Sequence, residues 1–314
     1  MRLLKFLTAF ACFALPAAGS PAQTADPASA TVAMQQARVD DPGHAPIPVA
    51  IWAPAAGAAL PLVVISHGTG AGPTAHIDTA EALAQAGFVV VAPMHPGDNF
   101  QDDSAVGRPE WMANRARHVG KVIDFMFARW DGRARLAPNR VGIFGFSAGG
   151  TTALISIGGV PELGRIPVHC ARTPEFVCQL MAASAADAAT PAWMHDRRIA
   201  AAVLAAPGLG FAFAPESLAN VRVPVQLWSG DADRTVPEAT NAALVRQALS
   251  QPVDYRNVAG AVHLSFLAPC GPESPPVICQ DGPGFDRAAF HRELNREVVA
   301  FFRRHLVEAR APES

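Results

Sequence analysis

The sequence feature that most constrains the fold is the pentapeptide Gly145-Phe-Ser-Ala-Gly149, which has the form G-x-S-x-G. It lies between a β-branched apolar run at 140–145 and a helix-forming run at 148–157. In such a strand–turn–helix unit the serine occupies a sharp turn, and only small residues fit two positions away on either side. The pattern therefore predicts a buried strand, a strained turn that exposes the Ser147 hydroxyl, and a helix that begins at Ala148.

Apolar runs alternate with segments of helical periodicity over most of the chain. The segments that predict strands are 48–52, 61–66, 88–92, 140–145, 199–204, 223–228 and the short, more polar 253–258, and the helical segments are 74–86, 111–130, 148–157, 237–249 and 286–306. Strands that alternate with helices in this way form a mostly parallel sheet with helices on both faces. Of the 314 residues, 50% are hydrophobic and 17% are charged, which is sufficient for a large core. The predicted fold class is α/β.

Residues 1–22 have the layout of a secretory signal peptide. Basic residues precede a short apolar run at 6–18, which ends in small residues. We predict cleavage after Ala22 and a periplasmic or secreted protein. Cys12 also allows a lipoprotein signal, but Phe10 is a poor fit to the small residues expected just before such a cysteine.

The rest of the chain divides into an arm and a larger folded unit. Residues 23–44 are rich in Ala, Pro and Asp and are predicted to form a flexible N-terminal arm. Residues 45–314 are predicted to form one α/β domain. Within it, residues 158–198 break the alternation of strands and helices, and we interpret this segment as a small cap inserted over the strand ends.

Four cysteines remain once the leader is removed: Cys170, Cys178, Cys270 and Cys279. An even number in an exported chain indicates two disulfides. Pairing of 170 with 178 and of 270 with 279 is the simplest assignment because each closes a short loop, although three connectivities are possible. The spacings of eight and nine residues do not match the close cysteine pairs of structural zinc sites.

Charge and hydropathy exclude several classes of partner. The net charge is −2, which argues against electrostatic binding of nucleic acid. After the leader, no run of 18 uncharged apolar residues predicts a transmembrane segment. His67, His76 and His95 could be imagined as a metal cluster, but no carboxylate stands at ligand spacing. We therefore expect no metal and no cofactor.

A serine hydroxyl needs a general base to act as a nucleophile, and in the predicted fold the acid and the histidine follow the serine in that order. The loop after the predicted strand 223–228 contains Asp231 and Asp233, and the loop after 253–258 contains His263. We choose Asp233 as the acid and assign Asp231 to the turn itself. Ser147, His263 and Asp233 are therefore the predicted catalytic residues.

The oxyanion of an acyl-transfer reaction needs backbone N–H donors. The amide of Ala148 lies at a predicted helix N-terminus, and the glycine-rich segment Ser66-His-Gly-Thr-Gly-Ala-Gly72 follows a predicted strand. We predict Thr69 and Ala148 as the two donors. His67 is expected to bond backbone beneath this loop, and His95 either stabilises a turn or lines the pocket.

These motifs resemble those of the α/β-hydrolase superfamily over nearly all of residues 45–306. They are similar to exported proteins described as predicted dienelactone hydrolases, a group that itself resembles platelet-activating-factor acetylhydrolases and polyester hydrolases. The resemblance rests on Ser66-His-Gly-Thr-Gly70, Ala92-Pro-Met-His-Pro-Gly97, Gly145-Phe-Ser-Ala-Gly-Gly150, the Asp233-x-x-Val-Pro spacing and His263. It implies the same triad and the same two oxyanion amides.

One departure bears on the substrate. True dienelactone hydrolases use a cysteine nucleophile, whereas this chain has Ser147. We therefore expect a secreted serine hydrolase that cleaves ordinary carboxylic esters, of small molecules, lipids or polymers, through an acyl-enzyme. The alternatives are a peptidase or amidase similar to prolyl oligopeptidases, for which the segment before residue 45 leaves no room for a propeller domain, and a catalytically inactive binding protein of the same fold.

Overall fold

The structure, a computed structural model, describes residues 32–181 and 191–308. In these ranges the strands are β1 Val32–Val39, β2 Ile47–Pro54, β3 Leu60–Ser66, β4 Val89–Pro93, β5 Leu136–Phe146, β6 Ile199–Ala205, β7 Val225–Gly230 and β8 Asp254–Val258. They form one sheet in the order β1-β2-β4-β3-β5-β6-β7-β8. Strand β2 is antiparallel to β1 and β4, and the other neighbours are parallel. This is the α/β-hydrolase fold that the sequence predicted.

Helices cover both faces of the sheet and create two cores. The described α-helices are α1 Ile77–Gln85, α2 Trp111–Ala128, α3 Ala148–Ser156, α4 Arg165–Cys170, α5 Phe176–Met181, α6 Ala242–Ala248 and α7 Arg287–Phe302. Leu62 and Val64 of β3 belong to the core that includes residues of α2, α3 and α6, whereas Val63 and Ile65 belong to the core that includes residues of α1 and α7. Successive strand side chains point to opposite faces, so a strand covered on both sides is apolar throughout.

Residues 32–39 correct the predicted arm. They form β1, which pairs with β2 from Val32–Pro54 to Val39–Ile47. Most side chains of this edge strand are exposed, so its sequence lacks the apolar pattern that predicts a strand. Residues 1–31, and with them the predicted signal peptide 1–22 and the start of the arm, lie outside the described residues.

The inserted segment 158–198 contains α4 and α5, and its residues 182–190 lie outside the described residues. Helix α5 lies against the loop that follows β4, since a Cβ at Gly107 would come within 1.9 Å of the Leu180 carbonyl oxygen. Glu175 bonds Thr240 and Asn241 in the region after β7. The insertion therefore contacts loops at the carboxyl edge of the sheet from two directions.

Both predicted disulfides are present. Cys170 is bonded to Cys178, and Cys270 is bonded to Cys279. Among the described residues, no helix has the length and hydropathy required to cross a bilayer.

Candidate active site

The turn between β5 and α3 holds Ser147 in a strained conformation. Its backbone has φ 55° and ψ −119°, a combination that residues with a side chain rarely adopt. The turn is tight enough that a Cβ at Gly145 would lie 2.1 Å from the Gly149 carbonyl oxygen, and a Cβ at Gly149 would lie 1.9 Å from that of Ser66. The two glycines of G-x-S-x-G are thus required by close backbone packing.

His263 bonds both Ser147 and Asp233. Its Nε2 lies 2.9 Å from Ser147 Oγ, and its Nδ1 lies 2.7 Å from Asp233 Oδ2. Because a carboxylate only accepts, the ring carries its proton on Nδ1, which leaves Nε2 free to accept the Ser147 hydroxyl proton. His263 and Asp233 are each 6% exposed, so the arrangement is largely shielded from water.

The structure brings Asp233, and not Asp231, to the imidazole. Asp233 Oδ1 accepts hydrogen bonds from the backbone N–H groups of Thr235 and Val236, which aims Oδ2 at the ring. Asp231 is exposed, and its Oδ1 accepts from the Gly260 N–H at 2.7 Å. Asp231 therefore joins the loop after β7 to the loop that carries His263.

The loop after β3, residues 67–72, runs directly beside the serine, and we call it the oxyanion loop after the role predicted for Thr69. A Cβ at Gly68 would lie 3.3 Å from Ser147 Cβ, and Thr69 is partly exposed next to it. Ala148 is the first residue of α3, so its N–H has no acceptor within the helix. The loop that contains Thr69 and the helix N-terminus at Ala148, the two predicted donors, thus both adjoin the serine.

The histidines near this loop are buried and neutral. Burial, together with the nearby Arg115 guanidinium, lowers the pKa of His67 to about 3. The same two causes, in that order, hold the pKa of His95 well below its usual value. His67 Nδ1 donates to the Gly68 carbonyl at 2.7 Å, as its expected role requires, and His95 Nε2 lies 2.9 Å from Ser66 Oγ. His95 is fully buried, which rules out the expectation that it lines a pocket.

Sequence reasoning missed two charged residues beneath the oxyanion loop, Asp98 and Arg115. Each side chain is only 1% exposed, and they form an ion pair of 2.5 Å. The available signal was periodicity: Arg115 lies one helical turn before Val119 and two before Val122, on the buried stripe of α2. Among the described residues no group of His, Cys, Asp and Glu side chains is arranged to hold a metal ion.

Comparison with known proteins finds one matching family model. Residues 47–195 match the model described as the dienelactone hydrolase family. The matched segment contains Ser147 and the oxyanion loop but ends before Asp233 and His263. No curated protein shows significant similarity to the chain.

Proposed function

We propose that this chain, a hydrolase of the α/β-hydrolase superfamily related to the dienelactone hydrolase family, is an exported serine esterase that works through an acyl-enzyme. The observation that carries the proposal is the unbroken series of hydrogen bonds from Asp233 through His263 to Ser147. Each link has the polarity that serine activation requires, because the imidazole donates to the acid and accepts from the hydroxyl.

In the proposed reaction Ser147 Oγ attacks the ester carbonyl while His263 Nε2 takes its proton. The carbonyl oxygen becomes an oxyanion that accepts hydrogen bonds from the N–H groups of Thr69 and Ala148. As this intermediate collapses, the bond to the leaving oxygen breaks and His263 gives its proton to the departing alcohol. Water then attacks the acyl-serine with His263 as base, which releases the carboxylic acid and restores Ser147.

The serine nucleophile favours ordinary esters over dienelactones. A thiolate can be held ready by its surroundings, whereas a serine hydroxyl is activated only as its proton leaves. The chain supports that requirement with a buried acid and a correctly polarised imidazole.

Export is part of the proposal. Two disulfides within short loops persist in oxidising compartments and are rare in the cytosol. They agree with the signal peptide predicted at 1–22.

The test is Ser147→Ala, assayed on p-nitrophenyl esters. We expect turnover to fall by about 10⁴-fold or more, because triad members act as a unit, while circular dichroism and the melting temperature stay close to wild type. A fluorophosphonate probe should label the wild type and not the variant. Hydrolysis that persists in the variant would contradict the proposal, and so would a wild-type chain that the probe fails to label.

Wild-type assays separate the alternatives. A panel of matched aminoacyl amides and esters distinguishes an esterase from a peptidase of the prolyl-oligopeptidase kind. Preference for the amides would replace the esterase assignment.

A further inference from the structure

The ion pair between Asp98 and Arg115 lies outside the Ser147–His263–Asp233 series, yet it is among the most buried charge pairs of the described residues. Asp98 follows β4, and Arg115 lies in α2. Removing two charges from water costs about as much as their attraction returns, so a buried pair is a poor source of stability by itself. What distinguishes this pair is the hydrogen bonds that both side chains make to other residues near Ser147.

Asp98 holds one end of the oxyanion loop. Its Oδ1 accepts a hydrogen bond of 2.8 Å from the N–H of Gly70, the residue that follows Thr69. Its Oδ2 accepts from Arg115 and also from Trp111 Nε1 at 2.7 Å. The carboxylate is therefore fixed from the α2 side and in turn fixes the backbone just after Thr69.

Arg115 holds the other end of that loop and also the nucleophile helix. Its Nη2 donates to the carbonyl oxygen of His67, two residues before Thr69. Its Nε donates to Thr152 Oγ1 at 3.0 Å, and Thr152 Oγ1 donates to the Ala148 carbonyl oxygen at 2.8 Å. One planar guanidinium thus connects both proposed oxyanion donors, Thr69 through its loop and Ala148 through the first turn of α3.

The loop needs such restraint because glycines flank its central residue. Gly68 and Gly70 impose little conformational preference, and Gly70 adopts φ 68°. In a trans peptide the C=O and N–H groups point in opposite directions. Since the Gly68 carbonyl is bonded to the buried His67 ring, the Thr69 N–H of the same peptide is directed to the other side. The hydrogen bond from Arg115 to the His67 carbonyl and the one from the Gly70 N–H to Asp98 hold this peptide from both ends.

We propose that Asp98 and Arg115 are positioning residues that hold the Thr69 and Ala148 amides in the geometry needed to bind the oxyanion. An oxyanion hole is effective when its donors are already oriented before charge develops. The inference rests on the proposed esterase function and adds a role for two residues that touch no substrate.

The central test is the double variant Asp98→Asn/Arg115→Met, which removes both charges and leaves no unpaired ion in the core. We expect kcat for p-nitrophenyl esters to fall by about 10²–10³-fold, the usual effect of losing one oxyanion donor, while KM changes only a few-fold. A trifluoromethyl ketone, which forms a tetrahedral adduct with an active serine, should lose affinity by the same factor as kcat/KM. Arg115→Lys, which keeps the charge without the planar fork, should lie between the double variant and wild type.

Arg198→Met is the matched control. Arg198 pairs with Asp124 and Asp196 at the start of β6, the edge of the sheet opposite Ser147. The substitution removes two ion pairs that do not contact the oxyanion loop. We therefore expect kcat and the affinity for the ketone to stay at wild-type values. Urea unfolding of every variant separates loss of folded protein from loss of rate.

The inference is wrong if the folded double variant keeps wild-type kcat and ketone affinity, or if KM alone rises. Failure of the proposed function has a different signature, because it would appear in the wild type and in Ser147→Ala before any Arg115 variant is examined. Should the double variant fail to fold, Arg115→Lys decides by the same two measurements.

Discussion

The loops that meet at Ser147 are supported in different ways on its two sides. On one side, which we call the oxyanion side, residues 66–72 and 95–118 are joined by buried polar groups. On the other, which we call the imidazole side, residues that follow Asp233 and His263 in the chain are hydrogen-bonded to carboxylates within or just after the two disulfide-closed segments.

The oxyanion side contains a chain of neutral imidazoles in addition to its ion pair. Arg117 Nη2 donates to His118 Nε2, so the proton of that ring is on Nδ1, which lies 3.2 Å from His95 Nδ1. His95 must then carry its own proton on Nε2, which donates to Ser66 Oγ. Each of these hydrogen bonds pairs a donor with an acceptor only while the His95 and His118 rings are both neutral.

The imidazole side uses carboxylates that are placed by the disulfide-closed segments. Glu175, between Cys170 and Cys178, accepts from Thr240 Oγ1 at 2.5 Å and from Asn241 Nδ2 at 3.0 Å. These two residues follow the loop that carries Asp233.

The second disulfide repeats the arrangement next to His263. Asp281, just after Cys279, accepts from Ser265 Oγ at 2.6 Å, two residues beyond His263. Arg287 pairs with Asp281 at 2.9 Å and donates to the Ile278 carbonyl oxygen. The comparison teaches that one catalytic geometry can be preorganised by buried hydrogen bonds on one side and by covalent crosslinks on the other, with different sensitivities to acid and to reductant.

The largest effect is expected for the acid of the imidazole side. Asp233→Asn should lower kcat by about 10³–10⁴-fold, because the amide no longer selects the imidazole tautomer that accepts from Ser147. Asp231→Asn keeps an oxygen that accepts from Gly260 N–H, so its rate should change only a few-fold. Steady-state kinetics on one ester suffices, and the reverse ranking of the two variants would exchange their roles.

Local sequence signals were enough to predict most elements and the three residues, Ser147, His263 and Asp233, that hydrogen bonds join. Buried parallel strands are apolar throughout, and the G-x-S-x-G turn carries its own steric requirement, so both are readable without tertiary information. The two disulfides were predictable because each closes a short loop.

What could not be predicted depends on distant contacts. Strand β1 is mostly exposed, and it is a strand because β2 offers it a pairing edge, which no local pattern reports. The bonds of Arg115 reach His67 and Thr152, which are 48 and 37 residues away in the chain. Its position on the buried stripe of α2 indicates that it needs partners but does not say which.

Removal of either disulfide should produce the next largest effect, a loss of stability of the folded chain. Cys170→Ser/Cys178→Ser should lower the free energy of unfolding by about 2–3 kcal/mol, the range expected for a loop of this length. The melting temperature of the wild type should fall correspondingly in reductant. Cys270→Ser/Cys279→Ser, with a loop only one residue longer, is the matched comparison.

The distinction between the two sides would fail if reductant left the wild-type melting temperature unchanged. It would also fail if reductant lowered the melting temperature of either double variant by more than it lowers that of the wild type. Thiol titration of the unfolded, unreduced mature protein should find no free thiol, and two or more thiols would show that the crosslinks do not form.

The smallest effect, less than about 1 kcal/mol for one imidazole between pH 7 and pH 6, is a pH dependence of stability that originates on the oxyanion side. Burial and the neighbouring Arg117 and Arg115 lower the pKa of His118 to about 3, and that of His67 is lowered equally far. The unfolded chain takes up these protons near the usual pKa of 6.5, whereas the folded chain does not. Stability is therefore complete above about pH 6.5 and is lost as the pH falls toward 3, by up to about 1.4 kcal/mol per pH unit for each imidazole.

Urea unfolding between pH 7 and pH 5 reports on the buried imidazoles as a group, because carboxyl groups titrate at lower pH. His118→Gln preserves an acceptor for Arg117 and a donor for His95 but cannot titrate, so it should flatten the dependence by roughly one proton. His195→Gln, at an exposed position, should leave the slope as it is in wild type. An unchanged slope in His118→Gln would mean that the neutral imidazole chain does not link the oxyanion side to pH, and the contrast with the disulfide-supported side would then rest on the Asp98–Arg115 pair alone.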